Sequence, residues 1–251
     1  MGFPGSDLKG KTALVTGGSK GIGYGMARAL AEVGVNVVVT SRNLAEGAKV
    51  AGEFAALGIR AGARQADVTK KAEVEAMVAS VSNEYGRIDI LVNNAGMNIR
   101  KPLLDLAEEE WDQVINTNLK GLFLVGQSVG RVMVRQKRGK IINIASVAGV
   151  KGRALLGPYC ASKGGVIQLT KVMALEWVDQ NIQVNAIAPT YFETPMTADF
   201  LKEKKEEILR RIPMGRLGTD QDLAGIVVFL ASEASDFITG QTVFVDGGST
   251  A

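Results

Sequence analysis

The chain has 251 residues, 46% of them hydrophobic, and sets 29 Lys and Arg against 26 Asp and Glu for a formal net charge of +3. That length suits one α/β domain with a sizeable core, and so even a balance leaves no basic stripe to follow a nucleic-acid backbone. With no histidine and one cysteine, the chain excludes a Ser-His-Asp triad, a His-ligated metal, an internal disulfide and a Cys-based zinc site, so no metal is expected.

Strand and helix signals then alternate from end to end. Residues 12–16 are a short apolar run that ends in the glycine turn Gly17, Gly18, Ser19, Lys20, Gly21, Ile22, Gly23, and a helix follows to about residue 33, stopped by Gly34. A second strand spans 35–40, a helix spans 45–57 up to Gly58, and a third strand spans 60–66. A helix over 72–85 ends at Gly86, a fourth strand covers 88–93, and 111–136 reads as one long helix. The fifth strand runs over 140–146 into Ser146, Pro158 opens a helix that continues to about 179, and a sixth strand spans 183–188. Residues 190–213 form an insert whose charged run, 202–211, mixes both signs and reads as a solvated helix. A helix over 220–231 and a strand over 242–245 close the chain. Seven strands alternating with six main helices predict a doubly wound, mostly parallel sheet forming one domain over 1–251, with the insert covering the substrate.

No apolar run approaches the ~18 residues of a membrane span and no charged-then-apolar leader opens the sequence, so no membrane partner and a cytoplasmic location are expected. The first six residues fit the loose N-myristoylation pattern, against which Pro4 argues. Cys160 is expected to pack rather than react.

Chemistry concentrates in two places. Gly17, Gly21 and Gly23 let the backbone turn tightly toward a pyrophosphate, whose charge the next helix N-terminus stabilises. The second strand ends Thr40, Ser41, Arg42 without the acid that reads a ribose 2′-hydroxyl. Arg42, Ser41 and Lys20 instead suit a 2′-phosphate, which favours NADP(H) with NAD(H) as the other candidate; the plainer alternative makes both cations solvent-facing loop charges. In the second place, Tyr159 and Lys163 stand four residues apart on one helix face near Ser146. A free phenol ionises near pH ~10, and a neighbouring cation is expected to pull that value down and make Tyr159 a proton donor or acceptor.

From residue 11 to 248 the sequence resembles the short-chain dehydrogenase/reductase family. The resemblance rests on residues 16–23, Asp67 with Val68, Asn93 to Gly96, Asn116 to Leu119, Ser146, Tyr159 with Lys163, Asn185 with Pro189, and Val245 to Gly248. It implies a single-domain Rossmann-type fold with strand order 3-2-1-4-5-6-7 and helices on both faces, a nicotinamide cofactor, and a homotetramer. It makes Tyr159 the acid/base, Ser146 the hydroxyl that polarises the substrate oxygen, Lys163 the cation that tunes Tyr159 and bonds the nicotinamide ribose, and Asn118 the holder of a relay water. Asp67 and Val68 then meet the adenine, Asn94 steadies the strand beside the cofactor, Thr194 helps hold the carboxamide, and Ser19, Ile22, Ala95, Gly96, Pro189 and Phe192 complete the cofactor site. Thr190 stands where the family commonly has glycine, which leaves the local backbone there open.

The segments 97–102 and 188–196 are similar to the gluconate 5-dehydrogenase branch, which acts on sugar acids and polyols. Arg100 and Arg153 then offer guanidinium groups to a substrate carboxylate, or else are solvated or form subunit contacts. Two alternatives stay open. One is a 3-oxoacyl thioester reductase of fatty-acid synthesis, for which Arg131, Arg135, Lys137 and Arg138 offer a basic patch to an acidic carrier. The other is a non-catalytic nucleotide sensor that keeps the fold alone.

Overall fold

The computed structural model describes residues 6–251, and the myristoylation pattern therefore falls almost wholly outside the described residues. Seven strands, β1 (Thr12–Thr16), β2 (Asn36–Ser41), β3 (Ala61–Gln65), β4 (Ile90–Asn93), β5 (Gly139–Ile144), β6 (Ile182–Pro189) and β7 (Thr242–Val245), make one sheet in the order β3-β2-β1-β4-β5-β6-β7. Every pairing is parallel, from Val37 beside Ala61 at one edge to Pro189 beside Val245 at the other.

Both faces are covered, as an all-parallel sheet requires. Ala13 and Val15 point to one side and pack with α1 (Gly21–Glu32), α2 (Leu44–Ala55) and α8 (Asp220–Ala231). Leu14, between them, points to the other side and meets α3 (Lys71–Tyr85), α5 (Gly121–Gln136) and α6 (Gly157–Trp177). The side-chain period of two in a strand thus feeds two separate cores. The strand order reverses between β1 and β4, which opens a crevice above their carboxyl ends.

Several boundaries depart from expectation. The fourth strand begins at Ile90, because the Gln136 side chain engages the Ile88 N–H and C=O at 3.0 and 2.8 Å and holds that residue off the ladder. The long helix starts earlier, as α4 (Glu108–Ile115), with three glutamates in its first turn and the Glu110 carboxylate accepting from the Ala107 N–H at 2.9 Å. It is also not one α-helix, since a π-helical turn over Asn116–Lys120 separates α4 from α5. Within the insert, α7 (Ala198–Arg210) begins before the charged run and rests on a small cluster of its own, Leu201, Ile208 and Ile212 with Tyr191, Phe200 and Leu217.

Two motif residues hold the far edge of the sheet. Asn185 donates to Ile238 O at 2.8 Å and accepts from the Gln241 N–H at 3.0 Å, and Asp246 accepts from the Gly248 N–H at 3.0 Å and from Thr250 Oγ1 at 2.6 Å. Thr190 adopts no positive φ, and its N–H bonds Val245 O at 3.2 Å, so a side chain is accommodated where glycine was expected.

Candidate active site

The glycine turn is welded to the end of β4. Thr16 Oγ1 accepts from the Asn94 and Ala95 N–H groups at 2.9 and 3.0 Å, while Asn94 Nδ2 donates to Thr16 O at 2.9 Å and Gly17 O at 3.1 Å. Gly17 has φ +62° and Gly21 has φ +57°, in the region that favours glycine. A Cβ on Gly23 would lie 2.4 Å from both Asn94 Nδ2 and Gly17 O, so only glycine lets α1 start this close to the strand ends. Lys20 at the N-cap makes no side-chain cap, which leaves the first-turn N–H groups of α1 for an anion. A backbone cradle that a Cβ would fill, at the mouth of an uncapped helix, fits a pyrophosphate.

Beyond the cradle, Ser41 and Arg42 leave β2, and Asn43 Oδ1 caps α2 by accepting from Ala45 N at 3.0 Å and Glu46 N at 3.4 Å. Asp67 follows β3. Burial pushes its carboxyl up, and the Thr69 N–H and hydroxyl at 2.9 and 2.8 Å, with the charges of Lys70 and Arg42, outweigh that and hold it below the usual range. A Cβ on Gly121 would meet Val68 Cγ2 at 2.8 Å, so that glycine lets α5 close behind Val68.

At the other end, Ser146 follows β5, its Oγ accepting from Ala148 N at 3.1 Å and lying 3.4 Å from Pro189 O. Tyr159 faces it from α6, and one turn further on Lys163 is buried and donates to Ile144 O at 2.6 Å. The expected electrostatics are corrected here. Burial raises the Tyr159 phenol above its ordinary value of 10.0; the Ser146 hydroxyl, and more weakly the Arg100 charge, pull the other way without reversing it. The Lys163 ammonium gives one of its three donors to the Ile144 carbonyl and lies 5.7 Å from the Tyr159 ring centroid, and burial brings its own pKa down from 10.5 to about 8.

One cleft of about 770 Å³ joins both ends. Of the residues singled out in the sequence, Gly17, Ser19, Lys20, Gly21, Ile22, Gly23, Ser41, Arg42, Asp67, Val68, Asn94, Ala95, Gly96, Ser146, Tyr159, Lys163, Pro189, Phe192 and Thr194 all line it. Asn118 does not. It sits fully buried on the π-turn, where its amide accepts from Met97 N and donates to Met97 O, both at 2.8 Å, and donates to Ser162 Oγ at 3.1 Å. Arg100 and Arg153 are not among the lining residues either. The Arg100 guanidinium lies 3.7 Å from the Phe200 ring centroid and that of Arg153 lies 5.7 Å from Tyr191, two rings that stack on each other within the insert. The sequence reading missed Thr16 as the hub of the turn, Asn43 and Glu46 on the cleft wall, and Thr197, whose hydroxyl donates to Phe192 O at 2.6 Å.

Comparison with known proteins follows the same outline. The family described as enoyl-(acyl carrier protein) reductase matches residues 17–250. The chain is 42% identical over 245 residues to gluconate 5-dehydrogenase of Gluconobacter oxydans, covering 97% of this chain and 96% of that one. It is 46% identical over 239 residues to 3-oxoacyl-[acyl-carrier-protein] reductase FabG of Staphylococcus aureus, covering 95% and 97%. A crystal structure of a gluconate 5-dehydrogenase from Burkholderia cenocepacia in complex with NADP and tartrate superposes with a TM-score of 0.94 at 42% identity, over 97% of this chain and 96% of that one.

Proposed function

The chain belongs to the short-chain dehydrogenase/reductase family and is an NAD(P)-dependent oxidoreductase, and from that premise we propose that it exchanges hydride between NADP(H) and the secondary alcohol or ketone of a sugar acid. The observation that carries the reading is one cleft with Ser146, Tyr159 and Lys163 at one end and Arg42 and Lys20 at the other. The glycine cradle and uncapped α1 would take the pyrophosphate, Asp67 and Val68 would meet the adenine, and Arg42, Lys20 and Ser41 would take the 2′-phosphate. The nicotinamide, when bound, supplies or accepts the hydride.

The protein supplies the proton and the electrostatics. In reduction, the Tyr159 O–H gives its proton to the substrate oxygen as charge develops there, and the Ser146 hydroxyl donates to the same oxygen. Because burial keeps the phenol protonated at neutral pH, Tyr159 stands ready as the acid. Oxidation reverses the transfer and calls for the phenolate, whose formation Ser146 assists. Lys163 carries the charge that holds the cofactor ribose, and Asn118 fixes the Met97 loop behind it, where a relay water would sit.

The substrate class rests on Arg100, whose charge reaches Tyr159 while its guanidinium is held over Phe200, with Arg153 beside Tyr191. Two half-buried guanidiniums held on the rings of the insert suit a carboxylate, and the reading is supported by the relative named gluconate 5-dehydrogenase and by the solved structure that holds NADP and tartrate. The second reading, a 3-oxoacyl thioester, is favoured by the Staphylococcus relative's 46% identity. Against it, three of the four basic groups at that helix end have partners within the chain, Arg138 with Glu233 at 2.6 Å, Arg131 with Glu75 at 3.7 Å and Lys137 with Gln180 at 2.5 Å. A non-catalytic sensor has no need of the intact Ser146, Tyr159 and Lys163 set. The insert 190–213 covers the substrate, and the single domain assembles as a cytoplasmic homotetramer, a reading that exposed apolar side chains such as Phe123 and Val172 on α5 and α6 support. No helix among the described residues is long and apolar enough to cross a membrane.

The test is a set of steady-state assays of 5-ketogluconate, a neutral ketone of similar size and acetoacetyl-CoA with NADPH and NADH. NADPH-dependent reduction of 5-ketogluconate with the highest kcat/KM is expected. A higher kcat/KM for acetoacetyl-CoA overturns the substrate class, and no turnover with any carbonyl compound overturns the catalytic reading.

A further inference from the structure

We propose that Glu46 sets the cofactor selectivity by competing with the 2′-phosphate of NADP(H) for Lys20. The inference rests on the cofactor reading above and concerns a residue outside the motifs that carry it. Glu46 is the third residue of α2, and its carboxylate lies 3.8 Å from Lys20 Nζ at the N-cap of α1, so the ion pair bridges two elements across the adenosine end of the cleft. Both residues line that cleft together with Ser41, Arg42 and Asn43.

The carboxylate has a second contact, at the cap of its own helix. Asn43 Oδ1 accepts from the Glu46 N–H at 3.4 Å, and Asn43 Nδ2 donates to Glu46 Oε1 at 3.4 Å, so the residue that caps α2 also turns Glu46 toward Lys20. The other cation, Arg42, makes no ion pair with a carboxylate among the described residues, so Lys20 is the group at which an acid competes directly. A phosphate dianion that approaches Lys20 does so against the like charge of Glu46. A 2′-hydroxyl meets no such repulsion and can donate to a carboxylate. The pair makes both cofactors admissible and sets their ratio. Since both side chains are about half exposed, solvent screens the pair and the factor is modest.

Isothermal titration of the wild type and of Glu46→Gln, at low and high salt, separates the phosphate from the rest of the cofactor. Adenosine 2′,5′-bisphosphate and 5′-AMP probe the adenosine end, and NADPH and NADH probe the whole. Glu46→Gln is expected to tighten adenosine 2′,5′-bisphosphate and NADPH by about 3-fold, and to leave 5′-AMP and NADH unimproved or weaker. The gain should shrink at high salt and vanish when Lys20→Met is combined with it. A parallel change for both members of each pair, or no change in a protein with an unaltered circular dichroism spectrum, overturns the role of Glu46 and leaves the NADP(H) reading intact. Failure of the wild type to bind NADPH or NADH overturns both.

Discussion

Tyr159 and Lys163 stand one helical turn apart, yet burial acts on them in opposite senses for protonation, keeping the phenol protonated and making the ammonium easier to lose. Tyr159→Phe deletes the transferable proton and little else. It is expected to lower kcat by at least about 10²-fold while the NADPH dissociation constant stays within a few-fold, as read by stopped-flow turnover and fluorescence titration. Lys163 is a cation below about 8 and neutral above it. Affinity for the anionic cofactor is therefore expected to be full at neutral pH and to decline as pH rises through about 8, and Lys163→Met should weaken binding and remove that limb. A flat wild-type profile between pH 7 and 9.5 would count against the assignment. Ser146, Tyr159 and Lys163 were legible because their spacing is local and their resemblance specific. The partner of Lys163 was not. That the Ile144 carbonyl claims its ammonium depends on how α6 lies across β5, which no spacing within residues 157–165 encodes.

The π-turn is the element the sequence hid. Apolar periodicity over 111–136 is that of one helix, and a single wider turn disturbs it too little to be read. Its effect is nonetheless specific, since it sets Asn118 against both backbone groups of Met97 and against Ser162 on α6. Asn118→Ala leaves those buried groups unpaired. The expected loss is about 2–4 kcal/mol of unfolding free energy in urea, with a drop in kcat as the Met97 loop loosens. A variant as stable as the wild type would show that water or neighbouring side chains take over these bonds. The insert was foreseen as polar and aromatic, but its aromatic contacts were not, because Arg100 and Phe200 are far apart in sequence. Phe200→Ala should free the Arg100 guanidinium and raise KM for the sugar acid by roughly 3- to 10-fold. The NADPH dissociation constant should hold, and an equal rise in both constants would mean that α7 supports the cleft as a whole.

Across the molecule, alternating strand and helix signals sufficed for a doubly wound sheet, and β1, α8 and β7 fall where the pattern put them. The order of the strands came from the resemblance, since no strand carries a mark of its neighbour in its own residues. The cleft draws on the ends of six strands, β1 to β6, so ligand binding should stabilise the fold as a unit. NADPH at about 100 times its dissociation constant is expected to add roughly 2.7 kcal/mol, or about 5–10 °C in Tm, with a smaller shift for NADH at the same concentration. Equal shifts in calorimetry would argue against phosphate selectivity. The strand order also bears on how the chain is made. β1, made before the other six strands, takes an interior place in the sheet, and its second edge finds a partner only when Ile90 to Val92 emerge to lie beside Ala13 to Val15. A nascent chain stalled before β4 therefore presents an apolar strand with one row of unpaired amides and carbonyls, open to any other half-made chain on the same message.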